Sequence, residues 1–303
     1  MRLRRLGSTG PAVTPLGIGT SALGSIPADY GYEVGEERAI ATVEAVLGSP
    51  INFLDTSNGY GAHGAAELRI GAAIRRAGGL PPGFVLATKV DPDPHTGDFS
   101  GARVPASLAE SLERLGVERV PLLHLHDPER ISFAAGTAAE GPLQALVELR
   151  EQGVVDHIGL AAGDVDLMLR YLETGAFDVV LNHNRYTLLD RSAVPLFAAA
   201  RERGMGVINA APYGSGMLAK GPGAHARYAY RENEPMARRA AAMQAACQAH
   251  GVPLAAAALQ FSLRSELVDA TIVGVSAPER VQQTLELAQV DIPGALWDEL
   301  DAL

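Results

Sequence analysis

Short apolar runs of β-like composition alternate along this chain with longer stretches in which apolar residues recur at helical intervals. Leu16 to Gly19, Ile51 to Asp55, Phe84 to Lys89, Leu122 to His126, His157 to Leu160, Val179 to Asn182, Gly206 to Ala210 and Ala270 to Gly274 read as strands. Glu36 to Leu47, Ala65 to Arg76, Val104 to Leu115, Pro142 to Gln152, Asp164 to Glu173, Ala193 to Arg203, a long Pro235 to Leu263 region and Pro278 to Ala288 read as helices. Pro142 and Pro278 suit first helical turns, and Gly116, Gly153 and Gly204 suit C-terminal caps. Eight such strands, each followed by a helix, predict an α/β protein with a (β/α)8 TIM barrel, an open doubly wound sheet being the alternative. Arg2 to Leu6 and Val13 to Gly17, flanking Gly7-Ser8-Thr9-Gly10-Pro11, predict an N-terminal β-hairpin across one end. Ile292 to Leu303, with Trp297 and Leu300, predicts an extra C-terminal helix on the barrel's side. No linker interrupts the pattern, so residues 1–303 are expected to form a single barrel domain.

In a parallel barrel the C-terminal strand ends converge on one rim, so polar residues there meet from distant points of the chain. Asp55 ends the second strand, Tyr60 hangs from the Thr56-Ser57-Asn58-Gly59 loop after it, Lys89 ends the third strand and His126 the fourth. A free phenol is a slow proton donor at neutral pH, and a neighbouring ammonium is expected to draw its pKa down. Lys89 is the candidate ammonium, with Asp55 as the counter-ion that makes its burial tolerable. His126 would orient a substrate oxygen. His124 shares parity with His126 but lies one layer deeper, where a hydrogen-bonded interior role is expected. Read separately, these residues also fit a strand-end lysine, a turn aspartate and a surface tyrosine. Gly17, Gly19 and Gly24 do not make a dinucleotide fingerprint, because no helix opens after them.

Composition narrows the field. A 47% hydrophobic fraction supports a sizeable core, and a formal charge of −10 argues against nucleic-acid binding, which depends on neutralising phosphates. The one cysteine, Cys247, excludes an internal disulfide and a cysteine-based zinc site, so no metal is expected and a reducing, cytoplasmic location is. No apolar run of signal-peptide length follows Arg2, Arg4 and Arg5, and the stretch from Leu254 to Phe261 is too short to span a membrane. Asp91-Pro92-Asp93-Pro94 and Gly221-Pro222-Gly223, in the Tyr213 to Tyr230 segment, mark loops expected to serve as lids.

Asp55, Tyr60, Lys89 and His126, in that order, resemble the catalytic tetrad of the aldo-keto reductase family. The likeness extends through Glu148 to Val155 before His157-Ile158-Gly159, Arg185 to Asp190, Gly214 to Ala219 and Gly274 to Glu279. His126-Asp127-Pro128 and Arg185-Tyr186-Thr187-Leu188-Leu189-Asp190 look most like the aldose 1-dehydrogenase branch. That resemblance implies NADP or NAD as cofactor and oxidation of a sugar at C1 to a lactone, with Tyr60 as base. It further implies that Gly19, Thr20 and His183 approach the nicotinamide. Pro212, Tyr213, Gly214, Ser215 and Gly216, with Gly274, Ser276, Arg280 and Gln283, would hold the phosphates and adenosine. The family's usual Ser-Asn pair after the fifth strand is replaced by Ala161-Ala162, its Gln by His183, and its stacking aromatic by Ala210, for which Tyr213 could substitute. A small-molecule carbonyl or sugar is the expected partner, with a monomer or weak homo-oligomer. The alternatives are a broad carbonyl reductase, a Schiff-base aldolase built on Lys89, and a non-catalytic nucleotide-sensing barrel.

Overall fold

The computed structural model describes residues 1–223, 227–229 and 231–303 of the chain. β1 (Arg4–Arg5) and β2 (Ala12–Val13) pair as an antiparallel hairpin. The strands β3 (Leu16–Gly19), β4 (Phe53–Asp55), β5 (Val85–Val90), β6 (Leu122–His126), β7 (His157–Ala162), β8 (Val179–His183) and β9 (Gly206–Ala210) then run parallel. A short antiparallel pair, β10 (Arg227–Tyr228) and β11 (Arg231–Glu232), precedes β12 (Ala270–Gly274). β12 pairs with both β9 and β3, so the eight parallel strands close into a barrel and the open-sheet alternative is excluded.

Strand parity divides the core into two layers. Phe53, Ala87, Leu122, Ala161, Leu181, Ile208 and Ile272 fill the inside, where Leu6 and Val13 from the hairpin join them and plug one end. The alternate residues, including Ile18, Leu54, Leu86, Leu125, Leu160 and Val273, pack outward against the helices. The C-terminal helix Gly294–Ala302 buries Leu296 and Leu300 against the cluster containing Met243 and Cys247.

Several expected boundaries shift. Leu16 already belongs to the barrel, so the hairpin's second arm is shorter than Val13 to Gly17. The Pro235 to Leu263 region is two helices, Glu234–Ala249 and Leu254–Leu263. Gly251, at φ 68°, and Pro253 break it between them. β5 runs one residue past Lys89, and β8 extends one residue past Asn182 to include His183. No helix among the described residues is long and apolar enough to cross a membrane.

Candidate active site

The chain leaving β4 does not detach from the sheet at once. Thr56 N–H donates to Ala87 O and Asn58 N–H to Lys89 O, so the loop tracks β5 for three residues before turning. Asn58 is buried, its amide bonded to Ser107 O and to the Glu110 carboxylate. Arg114 donates to Asn58 O at 3.3 Å and to Glu67 at 3.3 Å, tying the loop to both flanking helices, Ala65–Arg76 and Arg103–Leu115. Tyr60 then sits against Gly24: a Cβ at Gly24 would lie 2.7 Å from the Tyr60 carbonyl carbon. Gly61, at φ 84°, turns the backbone where a side chain would strike Gly24 O at 2.2 Å.

Lys89 is almost fully buried and its ammonium has three partners, Asp55 Oδ2 at 2.7 Å, Thr56 O at 2.6 Å and Tyr60 Oη at 3.1 Å. All three protons of the group are therefore engaged. That arrangement opposes nucleophilic attack by Lys89, and with it the Schiff-base alternative. Because Tyr60 Oη accepts from Lys89, its own O–H is free to point into the cleft. The expected downward pull on the phenol is not found: burial first, then the carboxylates of Asp55, Asp127 and Asp91, push the Tyr60 pKa well above its usual value. Lys89 is paired with Asp55 at 2.7 Å, and that carboxylate counters the ammonium's charge beside the phenol. Burial likewise raises the Asp55 carboxyl, against the opposing pull of Lys89.

Both histidines of β6 face the barrel interior. His126 meets the Tyr60 ring edge-on at 5.6 Å between centroids, and its Nδ1 lies 2.7 Å from Asp91 Oδ1. Burial works against charging the ring, but Asp91 and Asp127 outweigh it and raise its pKa. His124 is wholly buried and neither ring nitrogen has a partner among the described residues, so the interior hydrogen bond expected of it is not found there. Burial, then the charges of Lys89 and His126, drive its pKa well down. Gly159 makes room for the ring, since a Cβ there would lie 2.1 Å from His124 Nδ1.

Three groups at this site, Asp91, Asp127 and Arg130, were given no site role from the sequence. Asp91 is not part of a lid: it is buried beneath the Tyr60 loop, accepting from Gly59 N–H at 2.8 Å and from the Ser57 hydroxyl. Its two-residue spacing from Lys89 was the available signal, since equal parity aims both inward. Asp127 follows β6 in a left-handed conformation, φ 41°, and stands 3.7 Å from His126 Nε2 and 3.9 Å from His183 Nε2. Arg130 reaches Asp127 at 3.2 Å and Asp91 at 3.6 Å.

These groups share a cleft of about 270 Å³ at the C-terminal mouth of the barrel. Opposite the polar cluster its wall is small and apolar, formed by Gly19, Ala161, Leu181, Ala210, Ile272 and Gly274. A Cβ at Gly274 would meet nothing within 4 Å, so the surface is open there. A wall of small and apolar residues across from the Tyr60 hydroxyl leaves room for a nicotinamide ring, and His183 lines the same cleft. Thr20 lines the same cleft, although its hydroxyl is bonded to Asp55 O at 3.0 Å. Pro212 to Gly216 form the turn after β9, where Tyr213 is partly buried against two hydrophobic clusters and is not among the residues lining the cleft. Burial also raises its hydroxyl pKa, with Arg280 opposing. Ser276 precedes the helix Pro278–Leu287, and Arg280 and Gln283 are bonded to each other on that helix's first turns at 3.0 Å. In the segment from Tyr213 to Tyr230, Tyr228 is buried and donates to Asn184 O at 2.8 Å, while residues 224–226 and Tyr230 lie outside the described residues.

Comparison with known proteins agrees with the fold. The family model described as Aldo/keto reductase family matches residues 15–303. A D-threo-aldose 1-dehydrogenase from Pseudomonas sp is 34% identical, covering 97% of each chain. Pyridoxal 4-dehydrogenase from Microbacterium luteolum is 31% identical over 98% of this chain and 96% of its own. L-galactose dehydrogenase from Arabidopsis thaliana is 31% identical over 100% of this chain and 94% of its own. Among solved structures, the holo form of aldo-keto reductase AKR11C1 from Bacillus halodurans superposes with a TM-score of 0.80 at 24% identity, covering 100% of this chain and 96% of that one.

Proposed function

The chain belongs to the Aldo/keto reductase family and is an NAD(P)-dependent oxidoreductase, and from that premise we propose that it oxidises an aldose at C1 to the lactone. The observation that carries the reading is the Lys89 ammonium held between Asp55 Oδ2 at 2.7 Å and Tyr60 Oη at 3.1 Å, with the His126 ring beside the phenol. Two relatives named for aldose oxidation support the substrate class. The wall containing Gly19, Ala161 and Gly274 would hold a nicotinamide, which when bound would supply the hydride acceptor or donor. Tyr60 exchanges the hydroxyl proton, Lys89 fixes the position of Tyr60 Oη, and His126 orients the substrate oxygen. Asp55 holds Lys89 by charge and by hydrogen bond.

One observation favours a second reading, reduction of an aldehyde or ketone. A Tyr60 pKa pushed above its usual value leaves the phenol protonated at neutral pH and ready to donate. The two readings share one kind of hydride transfer but differ in substrate and direction, a cyclic sugar going to its lactone in one and an aldehyde or ketone to an alcohol in the other. Initial rates with a sugar plus oxidised cofactor against an aldehyde plus reduced cofactor separate them.

Tyr60→Phe is expected to retain cofactor binding, followed by NADH or NADPH fluorescence, while kcat falls roughly 100- to 10,000-fold. Undiminished turnover in that variant removes the role given to Tyr60. Arg280, beside uncapped N–H groups of the helix Pro278–Leu287, is the proposed 2′-phosphate contact. Arg280→Glu is expected to raise the Kd for NADPH roughly tenfold or more and to leave NADH unchanged. Equal effects on both cofactors would remove that assignment.

A further inference from the structure

We propose that Asp91 is a positioning residue for the reaction, holding the proton of His126 on Nδ1 so that Nε2 is the nitrogen presented to the substrate. The inference rests on the oxidoreductase reading of the cleft. The tetrad explains where Tyr60 and Lys89 stand, but not how an imidazole on a strand end is kept in one tautomer.

The assignment follows from counting donors. Asp91 Oδ1 lies 2.7 Å from His126 Nδ1, and a carboxylate can only accept. The second neighbour of Nδ1 is Ser57 Oγ at 3.0 Å. Ser57 has one hydrogen, and it points to Asp91 Oδ2. Both groups therefore face Nδ1 as acceptors, so Nδ1 carries the hydrogen. A neutral ring then has a lone pair at Nε2, and it can accept from a substrate hydroxyl. Donation to a carbonyl oxygen requires the second proton. In reduction the hydride joins the carbonyl carbon, the C=O π pair becomes the new O–H bond, and Tyr60 gives that proton. His126 only hydrogen-bonds the oxygen, and Asp91 moves no proton.

The same carboxylate accepts from Gly59 N–H, next to Tyr60, so the two arms that grip the substrate oxygen share one anchor. The charged and titratable groups facing the ring are Asp91, Asp127, Lys89 and Tyr60, with Asp55 behind Lys89, Arg130 against Asp91, His183 beyond Asp127 and His124 one layer below. Among them Asp91 is the one in hydrogen-bond contact with Nδ1.

The test is nitrogen-15 NMR of the histidine rings in the full-length protein, free of substrate, together with the pH dependence of kcat/KM for carbonyl reduction in the wild type and Asp91→Asn. Wild-type His126 is expected to carry hydrogen on Nδ1 at every pH, gaining Nε2–H on acidification. In Asp91→Asn the reductive kcat/KM limb assigned to His126 is expected to move about one unit or more toward acid, with cofactor Kd unchanged. A wild-type ring protonated on Nε2 alone overturns the proposal, as does a limb that stays in place in the variant. If the wild type turns over no sugar, aldehyde or ketone, the functional reading fails while the NMR titration still decides the role of Asp91.

Discussion

Asp91 and His126 form a buried pair whose two members titrate with opposite signs. Burial tends to raise the Asp91 carboxyl, but His126, the Ser57 hydroxyl and Arg130 hold it down at about 2 against an ordinary 3.8. A depressed folded-state value contributes stability that is present above the unfolded pKa and lost as pH falls through the folded one. Asp91 is therefore expected to contribute on the order of 2 kcal/mol above about pH 4, lost progressively towards pH 2. The raised His126 value works the other way, its contribution being present below the unfolded pKa of 6.5 and lost as pH rises through the folded one. Urea unfolding of wild type and Asp91→Asn between about pH 2 and pH 6 checks the acid side. The stability gap between the two is expected to narrow with acid, and a gap that widens contradicts the sign.

Between elements, the site depends on a polar layer joining the helices Ala65–Arg76 and Arg103–Leu115 to the tyrosine loop. Glu67 is fully buried, with Oε1 on Thr88 at 2.7 Å and Oε2 on Arg114 at 3.3 Å. Burial raises its carboxyl pKa while Thr88, Ser111 and Arg114 oppose. Arg114→Ala removes both the counter-ion of Glu67 and the donor to Asn58 O, and is expected to cost about 3 kcal/mol. Turnover should fall with it, since Asn58 lies two residues before Tyr60. Thermal unfolding and kcat measured on one preparation check the pairing, and a stable variant with weakened turnover alone would mean that Arg114 anchors only the loop. At this scale the helix registers were legible: Glu36–Leu47 and Ala65–Arg76 fall where periodicity placed them. The break at Gly251 and Pro253 was not read from the sequence, because the apolar pattern continues across it and hid the boundary between Glu234–Ala249 and Leu254–Leu263.

For the whole molecule the seam of the barrel is the exposed question, because β12 must return to β3 across most of the chain. Asp269 gathers three parts there, accepting from Val207 N–H at 2.9 Å, Gly7 N–H at 3.3 Å and Arg201 at 2.6 Å. It joins β9, the N-terminal hairpin and the entry to β12. Asp269→Ala leaves a buried backbone donor without a partner and is expected to destabilise the fold by about 3 kcal/mol. KM should stay near the wild-type value, because the seam residue lies at the opposite end of the strands from the cleft. Denaturation and steady-state kinetics of that variant check both parts.

The sequence by itself determined the barrel and the order of Asp55, Tyr60, Lys89 and His126 on its rim. Alternation of short apolar runs with helical periods is a one-dimensional property, and strand parity carries it into three dimensions. Parity also put Asp91 on the same face as Lys89, but a Pro-flanked acid beyond a strand reads equally well as a loop. Only the tertiary structure decided that Asp91 turns under Ser57 and Gly59 to meet His126, that Asp127 bends back in a left-handed turn between two imidazoles, and that Tyr213 packs inward. The direction of the Tyr60 shift was decided there as well. It depends on burial and on a sum over acids from separate strands and loops, and such a sum exists only once the barrel has closed and excluded water.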